Sequence, residues 1–344
     1  MALTWIPQEG FRAIAREVFP AAREGRPPRE GRTLYLDPNL GFGGDRKRRR
    51  HRQNDIHPYE MLGEPYFLNL RIINKRGRRR LLPDETIELI DSYVEGRPVE
   101  SGIDDLTPLA EALARDMEIK GEEEIRVAEG ALFEPIVPDH LERTTWMIAG
   151  PSGSGKSHLA AMLAMSYRDL YGPDYPVVVI SRIEKDKVLD EIGIERVKVD
   201  ASLIDEKTKE LRNKIDHYAD SVVILDDIDQ SSGDKHVAKA VLNLRGELLE
   251  HGRHNNTTVI TTCHTLRDGP KTKLQLGESH GIAIFPRVGN KVQMTGYLRE
   301  YAGLEHGQVA KALASPTRWL LHIREAPQYF LHERGAFMVN RTTG

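Results

Sequence analysis

Gly150-Pro151-Ser152-Gly153-Ser154-Gly155-Lys156-Ser157 fits the pattern G-x-x-x-x-G-K-[ST]. A short apolar run, Thr144 to Ala149, precedes it, and a helix-like run, His158 to Leu170, follows it. That strand–loop–helix setting is what a phosphate-binding loop requires. Its glycines let the backbone curl so that successive N–H groups point inward at an anion. The helix N-terminus adds partial positive charge. Within the loop and the first helical residues, Gly150, Pro151, Ser152, Gly153, Ser154, Gly155, Lys156, Ser157 and His158 are the candidate nucleotide contacts. Lys156 supplies an ammonium for the β and γ phosphates of ATP, and the Ser157 hydroxyl is a ligand for Mg²⁺.

From residue 141 onward, apolar runs alternate with helical patterns, as in a parallel α/β sheet. Candidate strands are 144–149, 177–181, 221–226, 257–262 and 281–286. Helices are expected over 156–170, 203–218, 235–250 and 297–314, and a β-hairpin over 318–323 and 329–334. The expected fold is an α/β P-loop NTPase of the additional-strand class. It has a mainly parallel sheet flanked by helices, a C-terminal β-hairpin and a smaller mixed N-terminal region. The domain boundary is placed near 140, giving residues 1–140 and 141–344.

Hydrolysis needs a carboxylate for the metal and a group that orients water. The run Ser221 to Asp227 is an apolar strand ending in two acids. Asp226 is assigned to Mg²⁺, Asp227 to water activation, and Asp229 stands in reserve. The run Thr257 to Thr265 is a second apolar strand with a polar tip. His264 is its candidate phosphate sensor, ahead of Thr262 and Thr265. Cys263 reads as a small buried apolar group. Arg253, beyond a helix end, is a candidate arginine finger acting on a neighbour's nucleotide, on its own, or not at all. Arg267 and Arg287 are weaker candidates for the same role.

The chain has 344 residues, 39% hydrophobic and 29% charged, and a net charge of −3. No run of eighteen apolar residues occurs, so no spanning helix is expected. One cysteine excludes an intrachain disulfide framework and fits a reducing, intracellular setting. Charge is uneven: residues 46–80 hold twelve Lys or Arg and three acids, whereas residues 83–135 hold four and sixteen. The basic clusters, Arg48, Arg49 and Arg50 and then Arg78, Arg79 and Arg80, suit phosphate contacts on DNA without base readout. A targeting signal and a protein-binding arm remain open for them. Within residues 1–140, Phe11 to Glu24 reads as a helix, 66–82 as a strand, and 84–95 and 106–118 as acidic helices.

Taken together, GPSGSGKS, VVILDDID and the stretch from Leu248 to Arg287 (LLEHGRHNNTTVITTCHTLRDGPKTKLQLGESHGIAIFPR) resemble the genome-packaging ATPases of nucleocytoplasmic large DNA viruses. Those proteins, with the poxvirus enzyme as type, belong to the FtsK–HerA superfamily. The resemblance covers about residues 141–335 and carries Gly252 to Asn255, Thr257 to Thr265 and Ile282 to Pro286. It departs at His264, where the superfamily often has Gln. It implies a DNA-stimulated ATPase that forms a homo-oligomeric ring, moves double-stranded DNA into a preformed capsid and meets capsid or portal proteins. The protein would then act in the host cytoplasm or nucleus, or in the virion. Competing readings are weaker. A guanylate kinase needs a GMP-binding set that SYRDLYGPDYP lacks. A helicase-loader-like AAA+ protein needs a helical lid where the sequence shows a hairpin. An ABC ATPase needs an LSGGQ-like segment, and the chain has none.

Overall fold

The structure, a computed structural model, describes residues 3–5, 7, 9–21, 28–38, 124–139, 141, 143–229, 234–304, 306–315, 317–325 and 327–339. The basic clusters with their six arginines, the 66–82 strand and the two acidic helices lie outside the described residues. The chain divides into two compact units, Met1–Phe133 with Arg334–Met338, and Glu134–Glu333 with Val339–Gly344.

Short antiparallel pairs make up the described part of the first unit. Strand β1 (Leu3–Thr4) pairs with β3 (Arg29–Leu36), and β3 pairs with β2 (Arg12–Phe19). Strand β4 (Glu124–Arg126) pairs with β14 (Gly335–Met338). The helix expected over Phe11 to Glu24 is a strand instead. Two register shifts, between Ala13 and Ala15 and between Arg16 and Val18, explain the misreading. The first shift places an extra residue on β2 and the second an extra residue on β3, and across the two Ile14, Ala15, Glu17 and Val18 are all buried. That spacing mimics a helical stripe. Buried Glu17 accepts from Arg32 Nε at 2.9 Å, Arg32 Nη2 at 2.8 Å and the Ala128 N–H at 2.8 Å.

The second unit is built on a sheet that begins, after β5 (Leu132–Pro135), with β6 (Thr145–Ala149). Its other strands are β7 (Val177–Ser181), β8 (Glu195–Lys198), β9 (Val222–Asp226), β10 (Thr258–Cys263), β11 (Gly281–Ile284), β12 (Leu320–Ile323) and β13 (Tyr329–His332). Across the sheet the order is β13-β12-β11-β6-β10-β9-β7-β8. Strands β11 to β8 in that order are parallel, and β12 and β13 are antiparallel. Strand β10 thus separates the P-loop strand β6 from the acid-tipped β9, the additional-strand arrangement. Every residue of β6, β7, β9 and β10 is buried, which is why these segments read as continuous apolar runs.

The helices are α1 (Lys156–Tyr171), α2 (Lys187–Glu191), α3 (Lys235–His251), α4 (Pro270–Glu278), α5 (Lys291–Glu300) and α6 (His306–Ala314). Two helix expectations need correction. Residues 203–218 hold no α-helix: the Asp205 carboxylate accepts from the Lys207 and Thr208 N–H groups, Lys209 has φ 59°, and Ile204 bridges to Leu211. These side-chain bonds compete with helix for the backbone donors. The single helix expected over 297–314 is two, parted at Gly303 with φ 70°.

Trp146 of β6 is fully buried and donates from Nε1 to Thr144 Oγ1 at 2.8 Å and Tyr167 Oη at 3.0 Å. Gly281 on the adjoining strand must lack a side chain, because a Cβ there would lie 2.2 Å from the Trp146 ring.

Candidate functional site

Strand register gathers the site. Ala149 lies level with Cys263 and with Ile284, and Asp226 lies level with Thr262 and Ser181. The C-terminal ends of β6, β7, β9, β10 and β11 therefore form one edge, where ligands bind in open parallel sheets. The 150–157 loop leaves β6 at this edge. Gly153 and Gly155 adopt φ 74° and 107°, open to glycine with little strain. Gly150 is packed so closely that a Cβ would meet Phe285 at 2.5 Å and Ser154 Oγ at 2.7 Å. Helix α1 starts at Lys156, so its first N–H groups face the loop. His158 is exposed on that first turn.

Lys156 is buried, and its Nζ donates to the carbonyls of Gly150 at 3.0 Å and Pro151 at 3.4 Å. The same ammonium lies 3.5 Å from Asp227 Oδ2, which also sits 3.2 Å from His264 Nε2. Asp227 takes φ 47°, a left-handed conformation that turns it away from the line of β9. Its other oxygen, Oδ1, is buried without a hydrogen-bond partner. Lys156, Asp227 and His264, far apart in sequence, thus converge.

Asp226 is held differently. Thr262 Oγ1 donates to its Oδ1 at 2.8 Å, and Ser181 Oγ donates to its Oδ2 at 3.2 Å. Burial pushes the Asp226 carboxyl above its ordinary value, aided by the charges of Asp227 and Asp186; the two hydroxyls oppose the rise. The Thr262 hydroxyl also accepts the Asp227 N–H at 3.0 Å, so one oxygen ties both acids to the tip of β10. Ser157 Oγ donates to Asp186 Oδ2 at 2.8 Å, and Asp186 caps α2 through the Val188 and Leu189 N–H groups.

The remaining candidates separate. Asp229 is engaged by the buried Arg245. Cys263 is buried, and burial pushes its thiol well up, away from any thiolate chemistry. Thr265 is exposed and its carbonyl accepts from Cys263 Sγ. Arg267 forks onto Glu300 at 3.2 and 2.6 Å. Arg287 lies two residues beyond Phe285, at the P-loop edge. Arg253 sits in the 3₁₀ turn Gly252–Asn255 that feeds the start of β10, and its charge acts on the neighbouring Arg143. The six-residue β10 separates that turn from the P-loop edge, roughly 20 Å at the usual strand rise. Arg253 is therefore remote from the nucleotide loop of its own chain.

Sequence reading passed over Ser181, Asp186 and Arg318. Asp186 carried a faint signal, an acid followed by the short helical run KVLDE. Arg318, whose Cδ would lie 3.5 Å from a Cβ on Gly155, gave none.

Ser157, Asp226 and Asp227 are oxygen donors that fit a hard divalent cation, and the orphaned Asp227 Oδ1 marks a polar position left for a ligand. No cluster of three or more His, Cys, Asp or Glu able to hold a metal occurs among the described residues.

The profile of the ATPase family associated with various cellular activities (AAA) matches residues 146–280. "Uncharacterized protein V3" of the Sputnik virophage is 33% identical over 219 residues, covering 63% of this chain and 85% of V3. Among solved structures, the genome packaging NTPase B204 of Sulfolobus turreted icosahedral virus 2, bound to AMPPCP, aligns with a TM-score of 0.38 and 12% identity. That alignment covers 56% of this chain and 98% of B204. The pCW3 conjugation coupling protein TcpA with ATPγS aligns with a TM-score of 0.38 and 15% identity, over 64% of this chain and 67% of TcpA.

Proposed function

We propose that this chain, which belongs to the family of the Sputnik virophage protein V3 and carries an ATPase domain, is the motor subunit that drives double-stranded DNA into a viral capsid. The observation that carries the ATPase part of the reading is the convergence of Lys156, Asp227 and His264, which joins the nucleotide loop to the tip of β10; the DNA part rests on the resemblance of residues 141–335 and on the basic clusters. When bound, Mg²⁺ supplies Lewis-acid stabilisation of the phosphates. Ser157 and Asp226 would hold it. Lys156 turns from the Gly150 carbonyl to the β and γ phosphates, and Asp227 takes the proton of, or orients, the attacking water. His264 registers the γ-phosphate through its contact with Asp227 and passes the change along β10.

The remoteness of Arg253 from its own P-loop supports a finger that reaches a neighbouring subunit, and hence a homo-oligomer, ring-shaped in this reading. The arginines at 48–50 and 78–80 supply sequence-independent contacts to DNA phosphates. The place of action is the infected cell or the virion. A second reading, a AAA ATPase that does not move DNA, is favoured by the match over residues 146–280. Steady-state phosphate release with and without random-sequence duplex DNA separates the two. The motor reading expects strong stimulation by duplex. Hydrolysis indifferent to duplex at low salt overturns it and leaves the second reading.

A further inference from the structure

Strand β12 runs antiparallel to β11, with Leu320 level with Ile284, and Ile284 is level with Ala149 at the end of the P-loop strand. Topology therefore delivers the residues just before β12 to the nucleotide edge. Arg318 is one of them. Its side-chain stem lies over the P-loop, with Cδ 3.5 Å from where a Cβ on Gly155 would stand. Gly155 combines that proximity with φ 107°, so it offers only backbone on the face that Arg318 covers.

The base of Arg318 is hydrogen-bonded, while its head is held only by a long ion pair to the same carboxylate. Its N–H donates to Glu333 Oε2 at 2.7 Å, whereas Nε lies 3.8 Å from Glu333 Oε1, beyond hydrogen-bond distance. The side chain is 63% exposed. Charge balance adds to this. ATP with one divalent cation retains about two negative charges, and such sites commonly recruit a guanidinium beside the P-loop lysine. Arg267 is forked onto Glu300, Arg245 is held by Asp229, and Arg253 is at the far end of β10, which leaves Arg318 and Arg287 as the arginines at this edge, and of the two Arg318 is the one whose stem lies over Gly155.

We propose that Arg318 contacts, in cis, the phosphate chain of the nucleotide bound at residues 150–157, with Glu333 holding the residue in place between cycles. This rests on nucleotide binding at the P-loop, and it is independent of whether DNA is the transported substrate. Arg is suited to the task because its planar fork meets two phosphate oxygens at once, which lysine does not.

The test is direct binding of ADP and ATP to the full chain by titration calorimetry, for wild type, Arg318→Gln, Arg318→Lys and Lys156→Ala. Arg318→Gln is expected to weaken nucleotide affinity about tenfold to thirtyfold, equivalent to ~1.4–2 kcal/mol. Arg318→Lys recovers part of the loss. The melting temperature without nucleotide stays close to wild type for both, because the guanidinium is solvent-exposed and the backbone bond to Glu333 survives; only the nucleotide-induced rise in melting temperature shrinks. A loss confined to ATP places the contact on the γ-phosphate, and a loss for both nucleotides places it nearer the sugar; either supports the assignment. Wild-type affinity for both nucleotides in Arg318→Gln overturns it. Should the Gln variant not fold, wild-type affinity in Arg318→Lys does so, since lysine lacks the fork. Failure of wild type itself to bind, or undiminished binding by Lys156→Ala, would instead sink the P-loop assignment on which the proposal stands.

Discussion

Replacing Thr262 with valine removes one hydroxyl and keeps the shape of the side chain. That hydroxyl donates to Asp226 at 2.8 Å and accepts the Asp227 N–H at 3.0 Å, inside a residue that is 1% exposed. A hydrogen bond to a charged group contributes ~1.5–3 kcal/mol, and valine leaves the buried Asp226 oxygen with an apolar neighbour. A domain of this size loses ~2–4 °C of melting temperature per kcal/mol, so the variant should melt roughly 3–12 °C lower. Turnover should suffer more than stability. The Asp227 turn, at φ 47°, loses the acceptor that clamps its N–H, and displacement of a reacting group by about 1 Å costs on the order of a hundredfold in rate. Thermal unfolding by circular dichroism without nucleotide, together with steady-state phosphate release, measures both effects. Thr262→Ser, which restores the hydroxyl, is the control and should recover most of each. Valine matching wild type in melting and turnover, or serine falling as far as valine, would show that the Thr262 hydroxyl holds neither acid.

Asp227→Asn should keep ATP binding and lose hydrolysis by about a hundredfold to ten-thousandfold, because the amide neither accepts a proton nor answers the charge of Lys156; near-wild-type phosphate release with intact binding would remove Asp227 from the reaction. In the first unit, burial pushes the Glu17 carboxyl up, but Arg32 and the N–H groups of Ala128 and Arg32 outweigh it and hold the group below its ordinary 4.5. A depressed carboxylate stabilises the fold above pH 4.5 and loses that contribution as pH falls through its lower folded-state value. Glu17→Gln should therefore cost ~1.5–3 kcal/mol at pH 7 and progressively less below the unfolded value; melting curves at pH 7 and pH 3 that show an equal deficit would contradict this.

The parallel sheet was legible because its strands are buried on both faces and end in chemistry: Ala149 before the loop, Asp226 after Leu225, Cys263 before His264. The same physics hid β2, where two register shifts against β3 broke the alternation that marks a strand. It hid the loop over 203–218 as well, where Leu203, Ile204, Leu211 and Ile215 keep helix-like spacing. These residues join the core around Tyr218 and Val223 from an irregular backbone. Within the site, the P-loop and the two acids declare themselves locally. The Ser181 and Thr262 hydroxyls that hold Asp226, and the stem of Arg318 over Gly155, exist only through strand register. Their partners are 45, 36 and more than 150 positions distant in the chain, and no local pattern encodes them.

The tight seat of Trp146 against Gly281 has an optical consequence. The chain has three tryptophans, and no two share a setting. Trp146 is sealed in the sheet four residues before Gly150; Trp319 is buried beside Arg318, its carbonyl accepting from Thr317. Trp5 stacks on Phe133 at 5.7 Å with the Arg32 guanidinium 3.9 Å from its ring centre, in the other unit. Buried indoles emit to the blue of hydrated ones. The protein thus carries a native fluorophore in each unit, and substituting Trp5 with phenylalanine leaves tryptophan emission, excited selectively at the red edge, from Trp146 and Trp319 in the second unit alone.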